Sequence, residues 1–225
     1  DPSATASVAV PASRWHVVLI AGDNNSPAFD NGVRSMRDKL AAQGVRDISA
    51  FTSDPTANPS LPVATAANVS SALRNGGGEA CLAFVTSHGD ETGFVLKQAR
   101  GTVGPSTLDS ALDAGCGSRP TVVVVSACHS GVFLTPAMRQ PNRIVLTAAA
   151  AALDDRGVLA GAVLAAALLA VVHAGRVQRA PDDVVADTRE VFHAATADEA
   201  GLVGFEVAGN LRPRLGVQIA LPVIR

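Results

Sequence analysis

The sequence has few of the residues on which nucleic-acid-binding proteins depend. It contains no tyrosine and one tryptophan in 225 residues, so it offers little aromatic surface on which bases could stack. Its formal net charge is -2, and no dense block of Lys and Arg occurs that could follow a phosphate backbone. We therefore expect no nucleic-acid partner.

Long apolar runs are also missing. The longest, at residues 158–172, is shorter than the roughly 18 residues expected of a membrane span, so it predicts a buried helix. The chain is nevertheless 48% hydrophobic and 17% charged, which predicts a folded domain with a real core. We expect one domain over residues 14–225, after a flexible lead-in at 1–13, and no membrane span.

Motifs that bind cofactors, and the serine-nucleophile elbow, are absent as well. No Gly-x-Ser-x-Gly occurs, and Gly76-Gly77-Gly78 precedes a predicted strand rather than the helix that a phosphate loop requires. His88, Asp90, Cys128 and His129 do not have the spacing of a zinc site, because Cys128 and His129 are adjacent. We expect neither a metal nor a cofactor.

Alternation of strands and helices is what the sequence does contain, and it predicts an α/β fold with a mostly parallel sheet. Ser26 and Pro27 have the residue types of a helix cap and first position, and Ser106 with Asp109 has the pattern of a capping box. The predicted strands lie at 16–21, 48–51, 81–87, 121–127, 144–148, 202–207 and 217–221. The predicted helices lie at 26–43, 65–73, 156–173 and 183–195, with a further helix that begins at Ser106 and a hairpin at 93–104.

Two of the predicted strands end in residues that can do chemistry. An apolar strand stops at His88-Gly89, and the next strand along the chain stops at Cys128. The carboxyl ends of parallel strands meet at one edge of the sheet, where open α/β sheets place their sites. Taken singly, His88 is more easily explained as a strand-end histidine bonded to a carbonyl, and Cys128 as a structural thiol. Their joint position favours a cysteine nucleophile with its base.

Three motifs in order resemble those of bacterial legumain-like cysteine peptidases, within the wider caspase-like group that includes metacaspases. Residues 86–89 read Thr-Ser-His-Gly, and residues 126–131 read Ser-Ala-Cys-His-Ser-Gly. Residues 15–24 are similar to the family's first strand, which ends in Ala-Gly-Ser-Asn, and residues 141–149 to the strand after the nucleophile. The resemblance covers residues 15–149 well and 202–216 faintly.

The resemblance implies a three-layer caspase-like fold, with helices on both faces of the sheet, and an endopeptidase that cleaves peptide or protein substrates without a cofactor. Cys128 matches the nucleophile, His88 the catalytic histidine, and Asn24 the asparagine that orients this histidine. Gly89 matches the glycine of the oxyanion hole, to which the Cys128 amide would also donate. Asn24 is equally a common residue type in turns that follow strands.

Substrate recognition departs from the family pattern. Asp30 and Asn31 stand where legumains have an Arg-His pair that helps to line the S1 pocket. Asp30 would favour a basic P1 residue there, although an acid in a first helical turn also complements the helix dipole. Ser126 is a further, weaker candidate for substrate binding. Residues 148–152, where relatives carry polar groups, are alanine.

Two alternatives to an enzyme stay open, and the alanine segment motivates the first of them. The first is a catalytically degenerate domain that binds a protein, which a long Cys128 to His88 separation and a cleft filled by Ala and Leu would favour. The second is a general α/β small-molecule binder, which no phosphate or cofactor motif in the sequence supports. The sequence gives no indication of the oligomeric state.

The remaining two cysteines bear on the compartment. Cys81 and Cys116 would lie at or just before neighbouring strands, so that either a disulfide or two buried thiols fits the sequence. With the Ala/Ser-rich first residues, which resemble the remainder of a processed signal peptide, this pair favours a periplasmic or secreted protein over a cytoplasmic one.

Overall fold

The computed structural model describes residues 10–148 and 206–209. The strands are β1 Trp15–Ala21, β2 Asp47–Phe51, β3 Ala80–Thr86, β4 Gly89–Asp90, β5 Gly93–Leu96, β6 Gly101–Val103, β7 Thr121–Ser126, β8 Arg143–Thr147 and β9 Glu206–Gly209. The helices are α1 Pro27–Ala42, α2 Ala66–Asn75 and α3 Pro105–Gly115, with 3-10 turns at Ala12–Arg14, Lys97–Ala99 and Ser130–Phe133. The helices predicted at 156–173 and 183–195, and the strand at 217–221, lie outside the described residues.

A six-stranded sheet in the order β2-β1-β3-β7-β8-β9 forms the centre of the molecule. Its first five strands run parallel, and β9 pairs antiparallel with β8. Every residue of β3 and β7 is buried, which explains why both strands are nearly continuous apolar runs rather than alternating ones. The strand that leads to His88 and the strand that leads to Cys128 are therefore neighbours in the middle of the sheet.

Helices cover both faces of this sheet. Alternate residues of β1, such as Val17 and Leu19, pack against α1, whereas Val18 and Ile20 belong to the core under α2 and α3. The α/β class and the three-layer arrangement with a mostly parallel sheet are thus confirmed. No helix within residues 10–148 and 206–209 has the length and apolarity needed to cross a membrane.

Helix α1 forms as its sequence predicts. The Ser26 side chain accepts a hydrogen bond from the Ala28 amide, and Pro27 occupies the first helical position, where no amide donor is needed. The apolar stripe of the helix faces the sheet and is buried: Phe29, Val33, Met36 and Leu40. The stripe holds α1 against the sheet, and the loop between β1 and α1 lies at the carboxyl end of β1.

The start of α3 was predicted wrongly. Gly104 is the N-cap and Pro105 the first helical residue, so Ser106 lies inside the helix and caps nothing. The preference of Pro for the first position decides this boundary. Asp109 does not complete a capping box, because its carboxylate pairs with the Arg143 guanidinium at 2.6 Å.

A small antiparallel sheet, β4-β5-β6, follows directly after His88. The hairpin predicted at 93–104 corresponds to β5 and β6, and the structure adds β4, which carries Gly89. A hydrogen bond joins this small sheet to the end of the central one: the amide of Val95, in β5, donates to the carbonyl of His88 at 2.8 Å.

Cys81 and Cys116 are joined by a disulfide, with their Cα atoms 5.8 Å apart. Both residues are buried in the core beneath α2 and α3. Of the two alternatives that the sequence left open for this pair, the structure has the disulfide, and Cys128 is the free thiol.

Candidate active site

The register of β3 and β7 brings His88 and Cys128 to the same level of the sheet. Thr86 pairs with Ser126, and the Ser87 amide donates to the Ser126 carbonyl at 3.1 Å. His88 and Cys128 each lie two residues beyond this last pair. The imidazole and the thiol therefore start from corresponding positions on adjacent chain segments.

The backbone at Gly89 lies directly against the Cys128 segment. A Cβ atom at Gly89 would lie 2.3 Å from the Cys128 carbonyl oxygen and 3.0 Å from the Ala127 Cβ. Only glycine allows this close approach. The loop that carries the histidine and the loop that carries the cysteine are thus in contact at the position predicted for the oxyanion hole.

His88 is held from two sides. Its ring packs edge-on against Phe29 of α1, with the ring centroids 5.0 Å apart and the planes at 81°. Its carbonyl accepts the Val95 amide. The ring is partly exposed, whereas Cys128 is 9% exposed. The histidine is thus packed on its helix side while remaining accessible to solvent.

The chain turns sharply after Cys128. His129 has φ 55° and ψ 14°, a left-handed conformation that is uncommon for residues other than glycine, and a 3-10 turn over Ser130–Phe133 follows. Phe133 is fully buried and fixes that turn in the core. The cysteine is therefore presented on a tightly folded corner, of the kind that often occurs at functional sites.

Asp90, on β4, lies close enough to His129 for the two charges to interact. Its carboxylate accepts hydrogen bonds from the Thr92 hydroxyl and from the Thr92 and Gly93 amides, and these bonds lower its pKa. The charge of His129 lowers the pKa further. Among the described residues, no group of three His, Cys, Asp or Glu side chains could hold a metal ion.

Asn24 lies on the exposed loop between β1 and α1, at the same edge of the sheet. Its Oδ1 accepts a hydrogen bond from the Lys97 ammonium. Lys97 is a residue that the sequence analysis missed, because 72 or 73 positions separate it from its partners and no local pattern connects them. The orientation of His88 by Asn24 stays a prediction.

Asp30, in the first turn of α1, is buried rather than open to solvent. It is 4% exposed, and its Oδ1 accepts a hydrogen bond from the Thr52 hydroxyl at 2.5 Å. Burial raises the pKa of its carboxyl above the ordinary 3.8, and the nearby Asp54 adds to this. Its neighbour Asn31 is exposed and bonds to Arg34. A role for Asp30 in P1 binding stays a prediction.

Ser126 is the last paired residue of β7 and is 2% exposed. Its carbonyl accepts a hydrogen bond from the Ser87 amide.

A groove elsewhere on the molecule lies between β2 and α2 and includes none of the predicted site residues. The residues that line it are His16, Asp47, Ser49, Phe51, Pro62, Asn68, Ser71, Ala72 and Asn75.

Comparison with solved structures finds chains that resemble this one. Caspase-1 from Spodoptera frugiperda is similar to this chain with 13% sequence identity and a TM-score of 0.49, over 79% of this chain and 76% of that one. No family model matches the chain, and no curated protein matches it.

Proposed function

We propose that this protein is a cysteine endopeptidase of the legumain-like type, with Cys128 as the nucleophile and His88 as general base and acid. The observation that carries the proposal is the register of β3 and β7 together with the contact of Gly89 on the Cys128 carbonyl. These two features bring a thiol, an imidazole and a glycine amide to one end of the sheet.

The proposed reaction has two halves. The Cys128 thiolate attacks the scissile carbonyl carbon, its proton having passed to His88, and the amides of Gly89 and Cys128 donate to the oxyanion. His88 then protonates the leaving amine, the C–N bond breaks, and a thioester remains. In the second half His88 takes a proton from water, the resulting hydroxide attacks the thioester, and Cys128 recovers its proton as the acid product leaves.

Labelling with an electrophilic peptide probe tests the proposal directly. Cys128 is the chain's only free thiol, since the other two cysteines form the disulfide, so the site of labelling is unambiguous. Cys128→Ala should abolish labelling and reduce cleavage about 10⁴-fold or more. His88→Ala should slow both by roughly 10²- to 10⁴-fold.

A simple alkylating reagent provides the control for thiol accessibility. The folded enzyme should react with the peptide probe far faster than with this reagent, and unfolding should remove the difference. The enzyme hypothesis would be refuted if both reagents reacted at equal rates and no peptide of a panel were cleaved. That result would favour the alternative of a protein-binding domain, which the low exposure of Cys128 also supports.

The P1 preference is a finer part of the proposal. A panel with P1 Arg, Lys, Asn and Asp would reveal it, and a preference for Arg or Lys that disappears in Asp30→Asn would support the role of the buried carboxylate. Equal cleavage of all four peptides would exclude that role.

We further propose, from the disulfide, that the protein works in the periplasm or outside the cell.

A further inference from the structure

The Lys97 side chain contacts the loop that carries Asn24. Its ammonium donates to Oδ1 of Asn24 and, at 3.0 Å, to Oδ1 of Asn25, and it lies 3.7 Å from the Asp23 carboxylate. An ammonium group has three protons, and three acceptors converge on it here. Lys97 thus binds three consecutive side chains of one loop.

The main chain around Lys97 is fixed as firmly as its side chain. The Lys97 amide donates to the Gly22 carbonyl at 2.9 Å, and a Cβ atom at Gly22 would lie 2.3 Å from the Val95 carbonyl oxygen. Two residues earlier, the Val95 amide donates to the His88 carbonyl, and the Val95 carbonyl accepts the Ser87 hydroxyl at 2.7 Å. The segment 95–97 therefore connects the backbone of His88 to the loop of Asn24.

The charge environment keeps the ammonium in place. Asp23 is only 4% exposed, and its carboxylate also accepts the Asn25 amide at 2.9 Å, so the loop acid is itself fixed. The Lys97 side chain is 43% exposed, which leaves the ammonium in reach of solvent and chemical reagents. Because the amide of Asn24 is planar, a bond to its Oδ1 also restricts the directions open to its NH₂ group.

We propose that Lys97 is a positioning residue of the active site, which holds the Asn24 side chain and thereby the geometry of Asn24 relative to His88. The inference rests on the proposed function, in which Asn24 orients the catalytic imidazole. Lys97 itself touches neither the substrate nor the reacting atoms. Its contribution is to reduce the freedom of a side chain on an otherwise exposed loop.

A double-mutant cycle tests how Lys97 acts. Lys97→Met keeps the aliphatic stem and removes the ammonium, and should lower kcat about tenfold with KM changed less than about twofold. Lys97→Arg should restore most of the loss. In the Asn24→Ala background, Lys97→Met should have almost no further effect, because the group through which it acts is gone.

Lys39 supplies the matched control, since it is the chain's other lysine and lies exposed on α1. Lys39→Met should leave kcat unchanged. Full additivity of Lys97→Met with Asn24→Ala, or a tenfold loss in Lys39→Met, would overturn the proposal.

Amine acylation measured by mass spectrometry separates this inference from the enzyme hypothesis, because it needs no activity. In the native protein Lys97 should be acylated several times more slowly than Lys39, and Asn24→Ala should accelerate Lys97 alone. If no peptide is cleaved but this pattern holds, the proposed function fails and the contact stands. If Lys97 reacts as fast as Lys39 in the active enzyme, and Asn24→Ala changes neither rate, the positioning role fails.

Discussion

At the scale of single residues, Gly89 controls how closely the loops of His88 and Cys128 approach. Gly89→Ala places a methyl group 2.3 Å from the Cys128 carbonyl oxygen, so the loops must separate. A displacement of about 1 Å near reacting groups costs roughly 10²-fold in rate, and we expect a loss of that size in probe labelling. The local crowding should also lower the free energy of unfolding by about 1–3 kcal/mol.

Gly101 offers a control for this substitution in the same small sheet. A Cβ atom there would meet no other atom within 4 Å. Gly101→Ala should therefore leave both labelling and stability unchanged. Labelling of Gly89→Ala at the wild-type rate would show that the contact has no bearing on Cys128.

Asp30 gives a pH dependence whose sign follows from its burial. Its raised pKa means that the folded state binds the proton more tightly than the unfolded state. The associated stability is fully present below the ordinary pKa of 3.8 and is lost as the pH rises through the raised value. Asn at this position can still accept the Thr52 hydroxyl, so Asp30→Asn should be relatively more stable at neutral pH than in acid.

Urea unfolding at about pH 4 and about pH 8 measures this difference between wild type and variant. The gain in stability of Asp30→Asn should be larger at the higher pH. Asp38→Asn, on the exposed side of the same helix, serves as the control for removing a surface carboxylate. A gain that shrinks as the pH rises would contradict the assigned sign.

At the scale of elements, Arg143 connects the start of β8 to α3. It is 1% exposed and pairs with Asp109 at 2.6 Å and with Asp113 at 2.8 Å. Arg143→Met leaves two carboxylates without their cation, one of them largely buried. Breaking a buried pair in this way costs about 3–5 kcal/mol, and we expect chemical denaturation to show a loss of this order.

The pair of Arg14 and Glu79 is the matched surface case, at 2.6 Å with both side chains about half exposed. Arg14→Met should cost less than about 1 kcal/mol. Equal losses in the two variants would mean that the Arg143 pairs contribute no more than a surface contact.

The elements show where sequence patterns suffice. The stripe of α1 and the apolar runs of β3 and β7 are local patterns set by burial, and their positions could be predicted to within a residue or two. The start of α3 could not, because Ser106 and Pro105 offered competing boundaries. Arg143 and Asp109 are 34 positions apart, so the hydrophobic periodicity of the sequence does not indicate that they pair.

The candidate site divides in the same way. His88, Gly89 and Cys128 stand at strand ends, so the order of elements alone brings them to one edge of the sheet. Lys97 was missed because it reaches Asn24 through a side chain whose direction depends on how the small sheet folds back. The burial of Asp30 was missed because the start of a helix is more often exposed, and the partner Thr52 lies on a different element.

At the scale of the whole molecule, the disulfide is the strongest single constraint on the unfolded chain. It joins residues 35 positions apart, and closing a loop of that size stabilises a protein by about 3–4 kcal/mol in the chain-entropy description. Reduction should therefore lower Tm by roughly 10 °C in a chain of this length. Thermal unfolding with and without a reductant measures this effect.

The double variant Cys81→Ala/Cys116→Ala is the control for that experiment. It should unfold at a lower temperature than the oxidised wild type, and the reductant should change its Tm no further. An unchanged wild-type Tm after complete reduction would show that the cross-link contributes nothing to stability.

The same disulfide has a consequence for a cleaved chain. The covalent ring that it closes contains His88 and Lys97, whereas Asn24 precedes the ring and Cys128 follows it. A single cut in the exposed turn at Arg100 would separate the imidazole and the thiol into two polypeptides that remain one molecule. Such a nick would be invisible on a non-reducing gel and would appear as two bands once the bridge is reduced.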